Sequence, residues 1–153
     1  KLVGCIPERG NTMALKVTKA EVWSAMLVDR AGGAADKLEA LARAGADLEL
    51  VFARRTPEQP GSGILFVSPV KGAKATRAAQ DAGLAKTDTI HWVRIEGGDK
   101  PGLGAKITRA LGNAAISFRG LSAIAIGTKF ISYVALDSAD DAARAVALLK
   151  KAA

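Results

Sequence analysis

The chain has 153 residues and a formal net charge of +7, with 49% hydrophobic, 24% charged and 5% aromatic residues. This is a globular mix for one ordinary domain or two small ones. Its apolar runs fall far short of the roughly 20 residues that cross a bilayer, which excludes a membrane-spanning helix and predicts a soluble, cytoplasmic protein. A single cysteine, Cys5, excludes an internal disulfide and a cysteine-cluster metal site.

Residues 1–17 read as an N-terminal segment, either a leader or an edge strand. "LVGC" at residues 2–5 matches the end of a lipoprotein signal, but no hydrophobic segment stands before it, and the match is taken as chance. Met13 can equally be read as a start, which would make residues 1–12 a leader or remnant. Residues 20–28, "AEVWSAMLV", have the character of a strand. The loop "DRAGG" follows, then a helix in which Ala34, Leu38, Leu41, Ala42 and Gly45 share a face. Residues 48–55 predict a second strand, "TPEQPGSG" a turn, and residues 64–68 the strand that completes a hairpin. "KGAKATRAAQDAGL" predicts a helix closed by Gly83, and a short strand fits between Leu84 and Asp88.

The pattern then restarts. Residues 89–96, "TIHWVRIE", predict a strand that Gly97 and Gly98 end. After "DKPGLG" comes a helix with Leu103, Ile107, Ala110, Leu111 and Ala114 on one face. Residues 121–126 and 130–136 predict a second hairpin. The last helix has Ser138 as its cap, Asp140 and Asp141 at its positive start, and Lys150 and Lys151 at its negative end. Laying Asp29 on Asp99 aligns Arg30 with Lys100, Gly32 with Gly102 and Leu41 with Leu111. The chain therefore repeats β-α-β-β-α twice. The predicted fold is α+β: two tandem ferredoxin-like βαββαβ units, residues 18–87 and 88–153, with sheets side by side and helices on one face. The second unit lacks a closing strand. Its edge is left bare, covered by another subunit, or filled by residues 1–6, "KLVGCI".

The positive charge is scattered. Lys71, Lys74 and Arg77 share a helical face and Arg54 and Arg55 are adjacent, but basic residues do not interleave with aromatics as an RNA-binding sheet needs. A solvated basic face is the preferred reading.

"DKPGLGAKITRAL" resembles the signature loop and first helix of the ACT domain, a small amino-acid-binding regulatory module. "DRAGGAADKLEALARAGADL" is a looser match, with Ala31 in place of the proline. The resemblance implies a tandem of two such units that binds a free amino acid at the seam between units or subunits. It places Asp99, Gly102 and Leu103 in the binding loop, and Ala115, Ile116 and Ser117 where the chain enters the next strand. The equivalents in the first unit are Asp29, Gly32 and Gly33, with Ala46, Asp47 and Leu48. The family often carries Asn where Ser117 and Asp47 stand. The physics agrees: glycine exposes backbone N–H groups at a helix start, where a carboxylate is favoured, and a nearby Asp can receive an ammonium group. Alternatively, Asp99 only caps the helix and Pro101 sits in its first turn.

Other chemistry is missing. Gly102 and Gly104 lack the third glycine of a dinucleotide fingerprint, where Ile107 stands, and no Gly-Lys-Ser/Thr occurs. His91, the only histidine, has no acid or cysteine nearby in sequence and is read as structural. No cofactor, metal or catalytic set is expected. The leading expectation is a non-catalytic, homo-oligomeric, dimeric regulator that acts through a protein partner or through its own oligomerisation. A ligand-free oligomerisation module stands second, and a nucleic-acid-binding ferredoxin-like domain third.

Overall fold

A computed structural model describes residues 14–152; Cys5, the "LVGC" match, Met13 and the expected edge segment 1–6 lie outside them. The elements are β1 (Lys16–Ala20), β2 (Trp23–Val28), α1 (Gly33–Arg43), β3 (Leu50–Arg55), β4 (Ser62–Ser68), α2 (Ala73–Asp81), β5 (Ala85–Lys86), β6 (His91–Gly98), α3 (Leu103–Asn113), β7 (Phe118–Ile126), β8 (Lys129–Leu136) and α4 (Ala139–Lys151). They build two four-stranded antiparallel sheets of order β3-β4-β2-β5 and β1-β6-β8-β7. Each sheet with its two helices is one ACT-like, ferredoxin-like unit.

The repeat holds at the level of register. Trp23 of β2 pairs with Val67 of β4, and Val93 of β6 pairs with Val134 of β8. The strand expected at residues 20–28 is β2 from Trp23 on, while Ala20 at its start ends β1 in the other sheet. The chain breaks at Glu21–Val22, where the Glu21 carbonyl accepts the Ser68 hydroxyl at 2.8 Å. Ala20 ends β1 opposite Trp92 of β6, while Trp23 opens β2 between Val67 and Lys86. Residues 16–20 thus take the place beside β6 that a closing strand of the second unit would occupy.

Helix faces and strand faces meet as their periods dictate. Ile107 and Leu111 of α3 and Ala142, Ala145 and Leu149 of α4 pack on Val17, Val93, Ile95, Val134 and Leu136. In the other unit Leu41 of α1 and Ala75 and Ala79 of α2 pack on Trp23, Ala25, Leu65 and Val67. Each large side chain withdrawn fully from water contributes about 1.5–3 kcal/mol, so these two cores dominate the stability of their units. Ser138 caps α4 as expected, its Oγ accepting the Asp141 N–H at 3.0 Å.

The two sheets lie next to each other and touch through the faces that the helices leave free. Alternation along β4 sends Leu65 and Val67 to the helices and Phe66 the other way, and β6 does the same with Val93 and Trp92. Val22, Phe66, Trp92, Tyr133 and Ala135 form this third cluster. Phe66 meets Trp92 edge to face, with ring centroids 5.2 Å apart at 63°, a favoured aromatic geometry.

Candidate functional site

Both predicted loops fold alike. In each, the backbone N–H of the acid reaches the turn of the neighbouring hairpin: Asp29 donates to the Gly61 carbonyl at 2.9 Å, and Asp99 to the Thr128 carbonyl at 2.8 Å. Each helix then starts on a left-handed glycine, Gly32 with φ 81° and Gly102 with φ 83°. Side chains rarely adopt that conformation, which explains the glycine in both loops. Gly33 is fixed by space instead, since a Cβ there would lie 2.7 Å from the Val28 carbonyl oxygen.

The capping role for Asp99 is not borne out. Gly102 is the N-cap of α3 and no side-chain cap is present among the described residues, so Pro101 precedes the helix rather than opening it. The amides of Gly104 and Ala105 belong to the first turn, whose N–H groups have no acceptor within a helix. The Asp99 carboxylate is exposed and has no hydrogen bond or ion pair among the described residues. Asp29 differs: its carboxylate pairs with Arg55 at 2.9 Å, and Arg30 in the same loop pairs with Asp36.

The remaining predicted residues lie elsewhere. Ala46, Asp47 and Leu48 follow the far end of α1, and Ala115, Ile116 and Ser117 the far end of α3. Eleven residues of helix, roughly 16 Å, separate each set from the loop of its own unit. Leu103 and Leu48 rest against the two cores, and Ile116 is buried at 3% exposure, so these three form floor rather than polar contacts. Ala115 is held at φ 56°. Ala46, Asp47 and Leu48 line an open cleft of about 420 Å³ with Gly45, Glu49, Pro69 and Lys71.

Nor do the two loops meet within one chain. Trp92 of β6 lies on Phe66 of β4. Two residues further along β6, Arg94 reaches Glu49, whose N–H is bonded to the Ser68 carbonyl. β6 therefore runs with β4 and against β2 across the interface, so Gly98 and Val28 point their loops to opposite ends.

The residues that do converge between the units escaped the sequence reading. Arg94 donates to both oxygens of Glu49 at 2.5 and 3.0 Å and to Glu96 at 2.7 Å. The Tyr133 hydroxyl donates to Glu49 as well. With Lys16, Lys19, Ser68 and Lys71 these groups line a cleft of about 530 Å³. The guanidinium of Arg94 holds the Glu49 and Glu96 carboxyls below the ordinary range and is itself held protonated by them. Burial, reinforced by the Glu49 carboxylate, pushes the Tyr133 phenol up to about 12. Within "HWVRIE" the alternation of Trp92, Arg94 and Glu96 on one face was available as a signal; the partner Glu49, 45 positions away, was not. Among the described residues no cluster of three or more His, Cys, Asp or Glu side chains could hold a metal ion, and no helix is long and apolar enough to cross a membrane. His91 sits with its Nε2 3.0 Å from the Asp88 carbonyl oxygen.

Comparison with known protein families finds no match, and neither does comparison with curated proteins. Solved structures do share the fold. The protein BT0572 from Bacteroides thetaiotaomicron superimposes with a TM-score of 0.71 at 19% identity, over 86% of this chain and 88% of that one. The ligand-free regulatory subunit of aspartate kinase from Thermus thermophilus gives 0.62 at 17% identity, over 90% and 95%. Aspartokinase III of E. coli, in complex with lysine and aspartate, gives 0.51 at 16% identity, over 90% of this chain and 32% of that one. The chain thus has the paired, ACT-like fold found in regulatory portions of aspartate kinases.

Proposed function

We propose that this protein is a non-catalytic regulator that binds a free amino acid at a contact between two chains. The observation that carries the reading is the loop of the second unit. There Asp99, exposed and without a carboxylate partner among the described residues, stands three positions before the left-handed Gly102 that opens α3. This carboxylate and the first-turn amides of α3 suit the ammonium and carboxylate of an amino acid, respectively. Loop and strand-entry residues lie at opposite ends of each unit, so a second copy supplies the missing half. The edge strand β7 offers a surface for that copy: nine residues with no strand partner on the outer side among the described residues, carrying exposed Phe118, Ile124 and Ile126. Proteins of the same fold, among them an aspartokinase in complex with lysine and aspartate, support the ligand class.

The test is a thermal-shift screen against the twenty amino acids with parallel light scattering. A ligand at a hundred times its Kd adds about 2.7 kcal/mol, which for a chain of this size raises Tm by roughly 5–10 °C. Asp99→Ala should abolish the shift with the fold intact. No shift with any amino acid at millimolar concentration refutes the reading. A ligand-free association module is the second reading, favoured by the Asp29–Arg55 pair that closes the first loop; it predicts a dimer whose association no amino acid alters.

A further inference from the structure

The two sheets do not close on each other along their whole length. Between β3 and β7 they leave a slot of about 240 Å³, lined by Leu50, Phe52, Arg54, Trp92, Arg119 and Leu121 among others. That is below the roughly 300–1,000 Å³ of sites for drug-sized molecules, so its occupant is small. The walls are aromatic and aliphatic.

Two features mark the slot as more than a packing gap. The indole N–H of Trp92 is buried, with the residue at 9% exposure, and has no acceptor among the described residues. A buried donor without a partner costs about 1–3 kcal/mol, and such groups are rare in folded proteins. The second feature is a pair of guanidinium groups with different commitments. Arg119 is held by the Asp137 carboxylate at 3.2 Å and the Thr89 carbonyl at 2.9 Å. Arg54 donates only to the carbonyl of Arg55, at 3.1 Å, and has no ion pair among the described residues. Its charge stands uncompensated beside an apolar slot.

We infer that this slot binds a small apolar carboxylate, such as an aryl- or branched alkyl-substituted short-chain acid. The hydrocarbon lies between Phe52, the Trp92 ring and Leu121, and the carboxylate pairs with Arg54. The site is separate from the Asp99 loop and needs no second chain.

The probe is 3-phenylpropionate, followed in the full chain by calorimetry and by tryptophan emission, to which Trp23 contributes as well as Trp92. Its neutral counterpart 3-phenylpropan-1-ol and acetate serve as controls. The acid should saturate the protein with a Kd of about 0.1–1 mM, in keeping with its size, and shift the emission. The alcohol should bind about tenfold more weakly, since a charge-assisted bond is lost, and acetate should not saturate. Arg54→Met alters an exposed side chain and should weaken the acid about tenfold while leaving the alcohol unchanged. Trp92→Phe should weaken both. Gly102→Val, in the distant loop, should affect neither. Trp92 also borders a second cleft with Lys19, Lys86 and His91; if Trp92→Phe weakens the acid and Arg54→Met does not, the ligand sits there and the assignment is wrong. Absence of saturation below about 10 mM, or equal affinity for acid and alcohol, also overturns it.

Discussion

Replacing Glu49 by Gln tests what holds the two units against each other. The substitution keeps shape and removes charge. Glu49 receives two hydrogen bonds from Arg94 and one from Tyr133, both in the other sheet. The Arg94 side chain is 16% exposed and that of Glu49 40%. Fully exposed pairs contribute about 0.2–1 kcal/mol, whereas breaking a buried pair costs about 3–5. Here one partner is half in water and Arg94 keeps Glu96, so the loss should be about 1–2 kcal/mol, or roughly 3–6 °C in Tm. The pH dependence gives a second readout. Arg94 lowers the folded-state pKa of Glu49 below its ordinary 4.5. Its contribution is therefore complete above that value and disappears as the pH falls through the folded-state pKa. Melting curves of Glu49→Gln and the unaltered protein should lie furthest apart near neutrality and converge in acid. A gap under about 0.5 kcal/mol, or one that stays constant into acid, would refute the account of the interface.

Tyr133 is the only tyrosine in the chain, so ultraviolet titration reads it alone; the midpoint should lie near 12 rather than 10. Because this raised value belongs to an acid that stays neutral, its contribution is intact below pH 10 and is lost as the pH rises toward 12. Leu111→Ala empties a fully buried position of the second core and should cost about 2–5 kcal/mol by denaturant unfolding; a loss under about 1 kcal/mol would show that α3 is loosely docked. Ser138→Ala should cost about 1 kcal/mol through the lost cap on α4, and Ser138→Asp should restore most of it.

The repeat was legible because it rests on local pattern. Spacing such as Leu103, Ile107 and Leu111 fixes a helix face, and alternation such as Trp92, Val93 and Arg94 fixes a strand, whatever lies opposite. The Ser138 cap was read for the same reason, and the short strand Ala85–Lys86 because the repeated plan leaves its closing strand no other place. The strand β1 and the division at Glu21–Val22 were not, since Ala20 runs straight into the apolar stretch from Val22 to Val28 and only pairing partners assign it to the other sheet. At the loops, the left-handed glycines followed from the sequence. The expected cap did not, because Asp99 can cap only a helix that starts at Lys100, three residues before the Leu103 start that an N-cap at Gly102 sets. The Glu49–Arg94–Tyr133 cluster draws on three distant segments, and no periodicity announces it.

Strand β1 precedes the first unit in the chain yet completes the sheet of the second. The first unit is thus an insertion within the second, entering after Ala20 and leaving before His91, with its own ends adjacent because Trp23 pairs with Lys86. Severing the chain between β5 and β6 would not yield two separable modules; it would leave the later half with β6 as a bare edge. On the ribosome, β1 must wait for more than seventy residues before its partner emerges, while the inserted unit can already have folded. In the finished protein the chain enters and leaves that unit through two adjoining strands, so a displacement of it against the Phe66–Trp92 and Glu49–Arg94 contacts would load β1 and β6 together.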